Sequence, residues 1–206
     1  MKSASVNYYN EIRNACDILL GQARGINALF GDFSARRLDE VYLEYDAGQK
    51  KMYALSRTVE RILYTDFITP IEREDIVSLL SSALSLLDSM GDVLREIRVW
   101  GISTGDGVTI EFSDLLLRCL TKISHIASEL ERFRKRPNII NAIRDTSELA
   151  RKRDTLYSDA MTSLIKRTTN SSELVARSRI YCLLDEMLSR TSSLADAFAM
   201  AVIKNI

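Results

Sequence analysis

Apolar residues return every three or four positions along almost the whole chain, and nowhere do they alternate long enough for a strand. Six helical segments follow from this pattern, over about 4–30, 35–65, 70–100, 109–135, 138–167 and 172–204. Breaks fall at Gly31 to Ser34, Thr69-Pro70, the loop Gly101 to Gly107, Arg136-Pro137 and Thr168 to Ser171. Long helices joined by short loops pack antiparallel, so the expected class is all-α. The third segment is the clearest. With Ile76 at heptad position a, Ile76, Ala83, Met90 and Ile97 share a stripe with Leu79, Leu86, Val93 and Trp100 at d and Leu80, Leu87 and Leu94 at e. That is the wide apolar face of a bundle helix. The opposite side carries Ser78, Ser81, Ser82, Ser85, Asp88, Ser89 and Asp92, interrupted by one apolar residue, Leu84.

The start of this segment, DFITPIEREDI (Asp66 to Ile76), crowds Glu72, Arg73, Glu74 and Asp75 together. Thr69 at N-cap, Pro70 at N1 and Glu72 at N3 would form a capping box. Acids in a first turn also complement the helix dipole. The cluster is therefore expected to start a helix and to hold no ligand.

Shifting the chain by 101 residues lays Thr69-x-x-Glu72 on Asn170-x-x-Glu173 and keeps most of the apolar face: Leu79 on Ile180, Ala83 on Leu184, Leu87 on Leu188 and Ile97 on Phe198. The expected organisation is a single domain over 1–206 built from two pseudo-repeated three-helix bundles, about 1–101 and 107–206.

Composition narrows the function classes. The 206 residues carry 28 basic and 28 acidic side chains, a formal net charge of zero, so no overall field draws in nucleic acid. Cys16, Cys119 and Cys182 are odd in number and widely spaced, which suits reduced thiols in a cytoplasm. Neither a signal peptide nor a bilayer-spanning run is expected. The one histidine, His125, sits on a helix without an obvious catalytic partner. Ser103-Thr104-Gly105-Asp106-Gly107 lacks the lysine and spacing of a phosphate-binding loop. Basic runs at Arg132, Arg134, Lys135 and Arg136 and at Arg151, Lys152 and Arg153 read as solvated charge, or as contacts to an acidic partner loop or to membrane phosphates.

Phe67-Ile68-Thr69-Pro70-Ile71-Glu72-Arg73-Glu74-Asp75-Ile76 resembles the signature of the PhoU-like phosphate transport regulators, nearly residue by residue. A looser likeness covers Ala195-Asp196-Ala197-Phe198-Ala199-Met200-Ala201-Val202-Ile203-Lys204. The resemblance implies a cytoplasmic helical bundle without a known reaction, lying peripherally at the inner face of the membrane. It would assist or regulate inorganic phosphate uptake through contact with a membrane phosphate permease or a phosphate-signalling regulator. A homo-oligomer is an added expectation; nucleic acid is not a partner.

The family also carries Glu/Asp-x-x-x-Asp pairs that bind metal clusters. Carboxylates at i and i+4 share a helix face, and two such helices make an oxygen-rich cation site. Counting from Phe67 puts these positions at Gln49 with Tyr53 and at Leu84 with Asp88. The repeat offset puts the others at Ala150 with Asp154 and at Asp185 with Ser189. No pair keeps both acids. Asp88, Asp154 and Asp185, with Glu186 nearby, are the remaining candidate ligands, sufficient for a weakly held divalent or iron-type cation. No resident cofactor is expected. Glu40 and Glu44 offer another register for the second helix. Leu84, Ser85 and Asp88 form a candidate interaction surface. The alternatives are a metal-cluster-binding bundle and a self-associating bundle without a phosphate role.

Overall fold

The computed structural model describes residues 7–205. Among them the regular structure is helical throughout: α1 (Tyr8–Gly31), α2 (Ala35–Leu63), α3 (Arg73–Val99), α4 (Gly107–Glu129), α5 (Ile139–Arg151), α6 (Arg153–Arg167) and α7 (Ser171–Asn205), with a 3-10 turn over Leu130–Lys135. The expected all-α bundle of six helical rods is borne out. The fifth rod differs from expectation, because it is divided at Lys152. There the backbone N–H bonds to Leu149 O, a tight i−3 turn that separates α5 from α6. The first expected segment begins at residue 4, and its first residues lie outside the described part.

Local chemistry sets most boundaries. Asn7 and Ser34 cap α1 and α2 by accepting from the N–H groups of Asn10 and Arg37. Asp106 and Thr109 form a reciprocal capping box on α4. Asn170 Oδ1 accepts from the Ser172 and Glu173 N–H groups, as the repeat suggested, but Glu173 turns to Arg177 (3.1 Å) instead of reaching back. Gly101 ends α3 at φ 62°, letting Ile102 N–H reach Ile97 O and Gly101 N–H reach Arg98 O in a Schellman pattern.

The capping box expected at Thr69 does not form. Thr69 Oγ1 donates to Ile71 O (2.7 Å), and α3 starts at Arg73 with no side-chain cap from Glu72. The Thr69–Ile71 hydroxyl bond folds the segment into a turn, so Pro70 lies before the helix.

α1 lies along α4 and α2, α3 lies along α7, and α5 and α6 both pack on α7. One continuous core runs from Tyr8 to Val202, and Ala160, Leu164 and Tyr181 form a small satellite. Every a, d and e residue named on α3 is buried except Trp100, which caps the helix end, is 41% exposed and donates from Nε1 to Glu96 Oε2 at 2.8 Å. Ser89, expected on the polar side, is buried and satisfies its hydroxyl on Leu86 O (2.7 Å). α3 is also the one described helix long and apolar enough to cross a membrane by length and composition. Its apolar face is spent on α7, α1 and α2.

Candidate functional site

Two regions of the bundle gather the residues singled out above. The first is the packing of α2 on α3 and of α5 and α6 on α7, where the metal-register positions lie; the break at Lys152 puts Ala150 on α5 and Asp154 on α6. Gly91 lets α2 come close to α3: a Cβ there would sit 2.2 Å from the Tyr45 phenol oxygen. Tyr45 is buried, and burial followed by the charge of Asp88 pushes its phenol well above the ordinary value. Gln49 Nε2 donates to Tyr45 Oη at 2.9 Å, and Tyr53 OH donates to Asp88 Oδ1 at 3.2 Å. The Asp88 carboxylate in turn holds the Tyr53 phenol above its ordinary value. Tyr53 and Asp88, each a metal-register position counted from Phe67, thus meet across the crossing.

At the other crossing, Arg153 Nη1 donates to Asp185 Oδ1 at 2.7 Å, while Nη2 lies 3.3 Å from Asp154 Oδ1. The guanidinium sits between Asp154 and Asp185, two of the remaining candidate ligands. Glu186 is taken by Arg190 (2.5 Å), which also reaches Ser85 Oγ. Ala150 is fully buried and Leu84 is half-buried against the core. Asp88, Asp154, Asp185 and Glu186 thus each have a donor from this chain. Among the described residues, no three His, Cys, Asp or Glu side chains converge as metal ligands. This donor set, carrying Tyr, Gln and Arg where a cluster needs carboxylates, does not fit a metal cluster. At the alternative register, Glu40 pairs with Arg36 at 2.8 Å.

The second region is one end of the bundle, where the two segments of the resemblance meet. Asp75 is buried; it accepts from Lys204 Nζ at 3.1 Å and from Asn205 Nδ2 at 3.0 Å. Asn205 Oδ1 accepts from Glu72 N–H (3.3 Å), and its backbone oxygen accepts from Arg134 Nε (3.0 Å). Lys204 lies also 3.5 Å from Glu72, and the hydrogen bond and charge of Asp75 raise its pKa. Arg73 donates to Leu63 O (3.0 Å) and to Asp66 O, while Tyr8 OH donates to Asp66 Oδ2 at 2.7 Å. Burial and that bond push the Tyr8 phenol up to about 12. The acids after Pro70 therefore lock the chain's C-terminal helix to α3.

A search of solved structures gives a PhoU-like protein from Shewanella oneidensis MR-1 at TM-score 0.77 and 12% identity, covering 96% of this chain and 100% of that one. The chain has a PhoU-like fold. A second PhoU-like protein of the same organism, provisionally named a phosphate regulatory protein, superimposes at TM-score 0.75 with 12% identity and covers 96% of this chain and 100% of its own. No family model matches. Among curated proteins, one of Rhizobium meliloti (strain 1021), provisionally named a pit accessory protein, is 24% identical over 200 residues, covering 91% of this chain and 88% of its own length. UPF0111 protein YkaA of Bacillus subtilis (strain 168) is 27% identical over 139 residues, covering 68% and 67%. The PhoU-like resemblance read from Phe67 to Ile76 and from Ala195 to Lys204 is borne out.

Sequence reasoning missed three features of this PhoU-like bundle. Arg153 was read as part of a solvated basic run, and the Asp75–Lys204 pair spans too much sequence for periodicity to signal. The third is the exposure of Tyr64, Phe67 and Ile68. Its available signal was two large apolar residues, Phe67-Ile68, outside any helical stripe.

Proposed function

We propose that this chain is a non-enzymatic accessory or regulatory protein of inorganic phosphate transport, acting by contact with a membrane phosphate permease or a phosphate-signalling regulator at the cytoplasmic face of the membrane. The observation that carries this reading is the near full-length match to a relative named as a pit accessory protein, on a PhoU-like fold. Contact, rather than chemistry, is favoured by the state of the polar groups at the two crossings. Tyr53, Arg153 and Arg190 engage acids that would otherwise be ligands, and Gln49, at a ligand position itself, is bonded to Tyr45, so the crossings serve as helix fasteners. The same engagement supports a chain that works without a resident metal cluster.

The proposed contact surface includes the flank of α3 where Leu84, Ser85 and Asp88 are half-exposed between α2 and α7. The proposed organisation is one domain of two pseudo-repeats. Support comes from like helices facing one another: α1, first of its unit, on α4, first of the other, and α3, third of its unit, on α7.

Uptake of labelled phosphate tests the reading. Deleting the chain should change uptake in cells that express a Pit-type permease and leave it unaltered in cells lacking one. Unchanged uptake in permease-bearing cells refutes the proposal.

A further inference from the structure

The end of the bundle that carries Asp75 also carries the most exposed large apolar side chains among the described residues. Tyr64, Phe67 and Ile68 are 90%, 98% and 89% exposed on the loop between α2 and α3. This loop is firmly held. Thr65 Oγ1 donates to Ile62 O (3.0 Å), Asp66 is fixed by Tyr8 and Arg73, Thr69 bonds Ile71 O, and Ile71 is buried. Its anchors lie on both sides of Phe67 and Ile68, so these two side chains are presented outward from a preorganised turn.

Beside this turn lies the loop that follows α4. Asn205 joins the two, bonding Arg134 through its backbone oxygen and Glu72 N–H through its side chain. Arg132, Arg134 and Lys135 are exposed there, and none has a carboxylate partner among the described residues. The nearby carboxylates are largely engaged: Glu72 and Asp75 with Lys204, Asp66 with Tyr8, Glu129 with Arg136. Glu74 and Glu131 are exposed. The end thus offers protruding aromatic and aliphatic groups beside unpaired cations.

We propose that this tip docks on an anionic lipid surface, with Tyr64, Phe67 and Ile68 entering the interfacial layer and Arg132, Arg134 and Lys135 facing lipid phosphates. Amphipathic rings and flanking cations are what such an interface selects. A convex tip needs no complementary pocket in a fluid layer. A second copy fits poorly, since aromatic rings supply about 150–250 Å² each, against about 800 Å² per partner in a stable interface. The formal net charge of zero leaves attraction to this local patch. The inference rests on the tip and shares with the proposed function only its place at the membrane.

Co-sedimentation of the full chain with vesicles tests it, with no permease present, so the outcome is separate from that of the uptake assay. The wild type should bind phosphatidylglycerol-rich vesicles and bind phosphatidylcholine vesicles less. Phe67→Ser/Ile68→Ser should weaken binding by at least about tenfold, and Arg132→Glu/Lys135→Glu should abolish the preference for the anionic lipid. With Trp100→Phe as background, Phe67→Trp should shift its emission to the blue on anionic vesicles. Circular dichroism melts of these surface variants should match the wild type. Failure of the wild type to bind anionic vesicles overturns the proposal. So does equal binding by the serine variant, or lipid-free dimerisation that this variant abolishes.

Discussion

Lys204 Nζ donates to the buried Asp75 carboxylate at 3.1 Å, so the last turn of α7 is tied to the first turn of α3. Asp75 and Lys204 are 129 positions apart and join the two segments that carry the PhoU-like resemblance, with Glu72 3.5 Å from the same lysine. Asp75→Ala should lower stability by about 2 kcal/mol, as loss of a buried, doubly bonded acceptor does, measured by urea unfolding. A cost near zero would mean that the pair is ornamental.

The same pair sets a pH dependence. Asp75 raises the Lys204 pKa above its ordinary value of 10.5, so folding favours the charged lysine. Its contribution is complete below the ordinary value and is lost as pH rises through the raised one. The stability difference between wild type and Lys204→Met should therefore hold at neutral pH and shrink in strong alkali. Paired melts across that range check the sign.

Gly91 lies where a Cβ would meet the ring of Tyr45 at 2.2 Å from its oxygen. That ring is buried, bonded by Gln49 and edge-on to Tyr42. Gly91→Ala should cost about 1–3 kcal/mol by overpacking, despite the better helix propensity of alanine. An unchanged melting temperature would show that Tyr45 moves freely.

Arg153 supplies a cation of the chain's own between Asp154 and Asp185. Elemental analysis of purified protein should find less than about one tightly held transition metal per chain, because the acids do not converge and are engaged by the chain's own donors. Arg153→Ala should destabilise by about 1 kcal/mol, since the Asp154 arm is exposed and screened. A stoichiometric metal in the wild type would contradict the reading of the crossing as a fastener.

Much of this was legible in the sequence. The stripe from Ile76 to Ile97 gave the buried face of α3, because a 3.6-residue period reports burial directly. Counting from Phe67 put Tyr53 and Asp88 among the four metal-register positions of α2 and α3, and the two side chains bond across that crossing. Contacts made by long polar side chains were not legible. Arg153 belongs by pattern to a solvated run, yet its reach selects Asp185 on α7. Thr69 has the residue type of an N-cap, but its hydroxyl found Ile71 O first, since threonine's local turn competes with capping. Trp100 continues the heptad on paper, but the helix ends under it at Gly101.

Thiol reactivity reports on the core. Cys182 is exposed on α7, whereas Cys16 and Cys119 are buried. Burial pushes the Cys119 thiol up to about 12 and the Cys16 thiol higher still. Ellman's reagent should titrate one thiol quickly in the native protein and all three after denaturation. Fast reaction of a second thiol would show that the α1/α4 core opens readily.

The proposed contact with a phosphate permease can be captured. Crosslinking the full chain in membranes that contain a Pit-type permease, followed by purification of the permease, should recover the chain in proportion to it. Substitutions at Leu84, Ser85 and Asp88 should reduce the yield, and an unrelated transporter should give none. Recovery no greater with the permease than with the unrelated transporter would contradict the account.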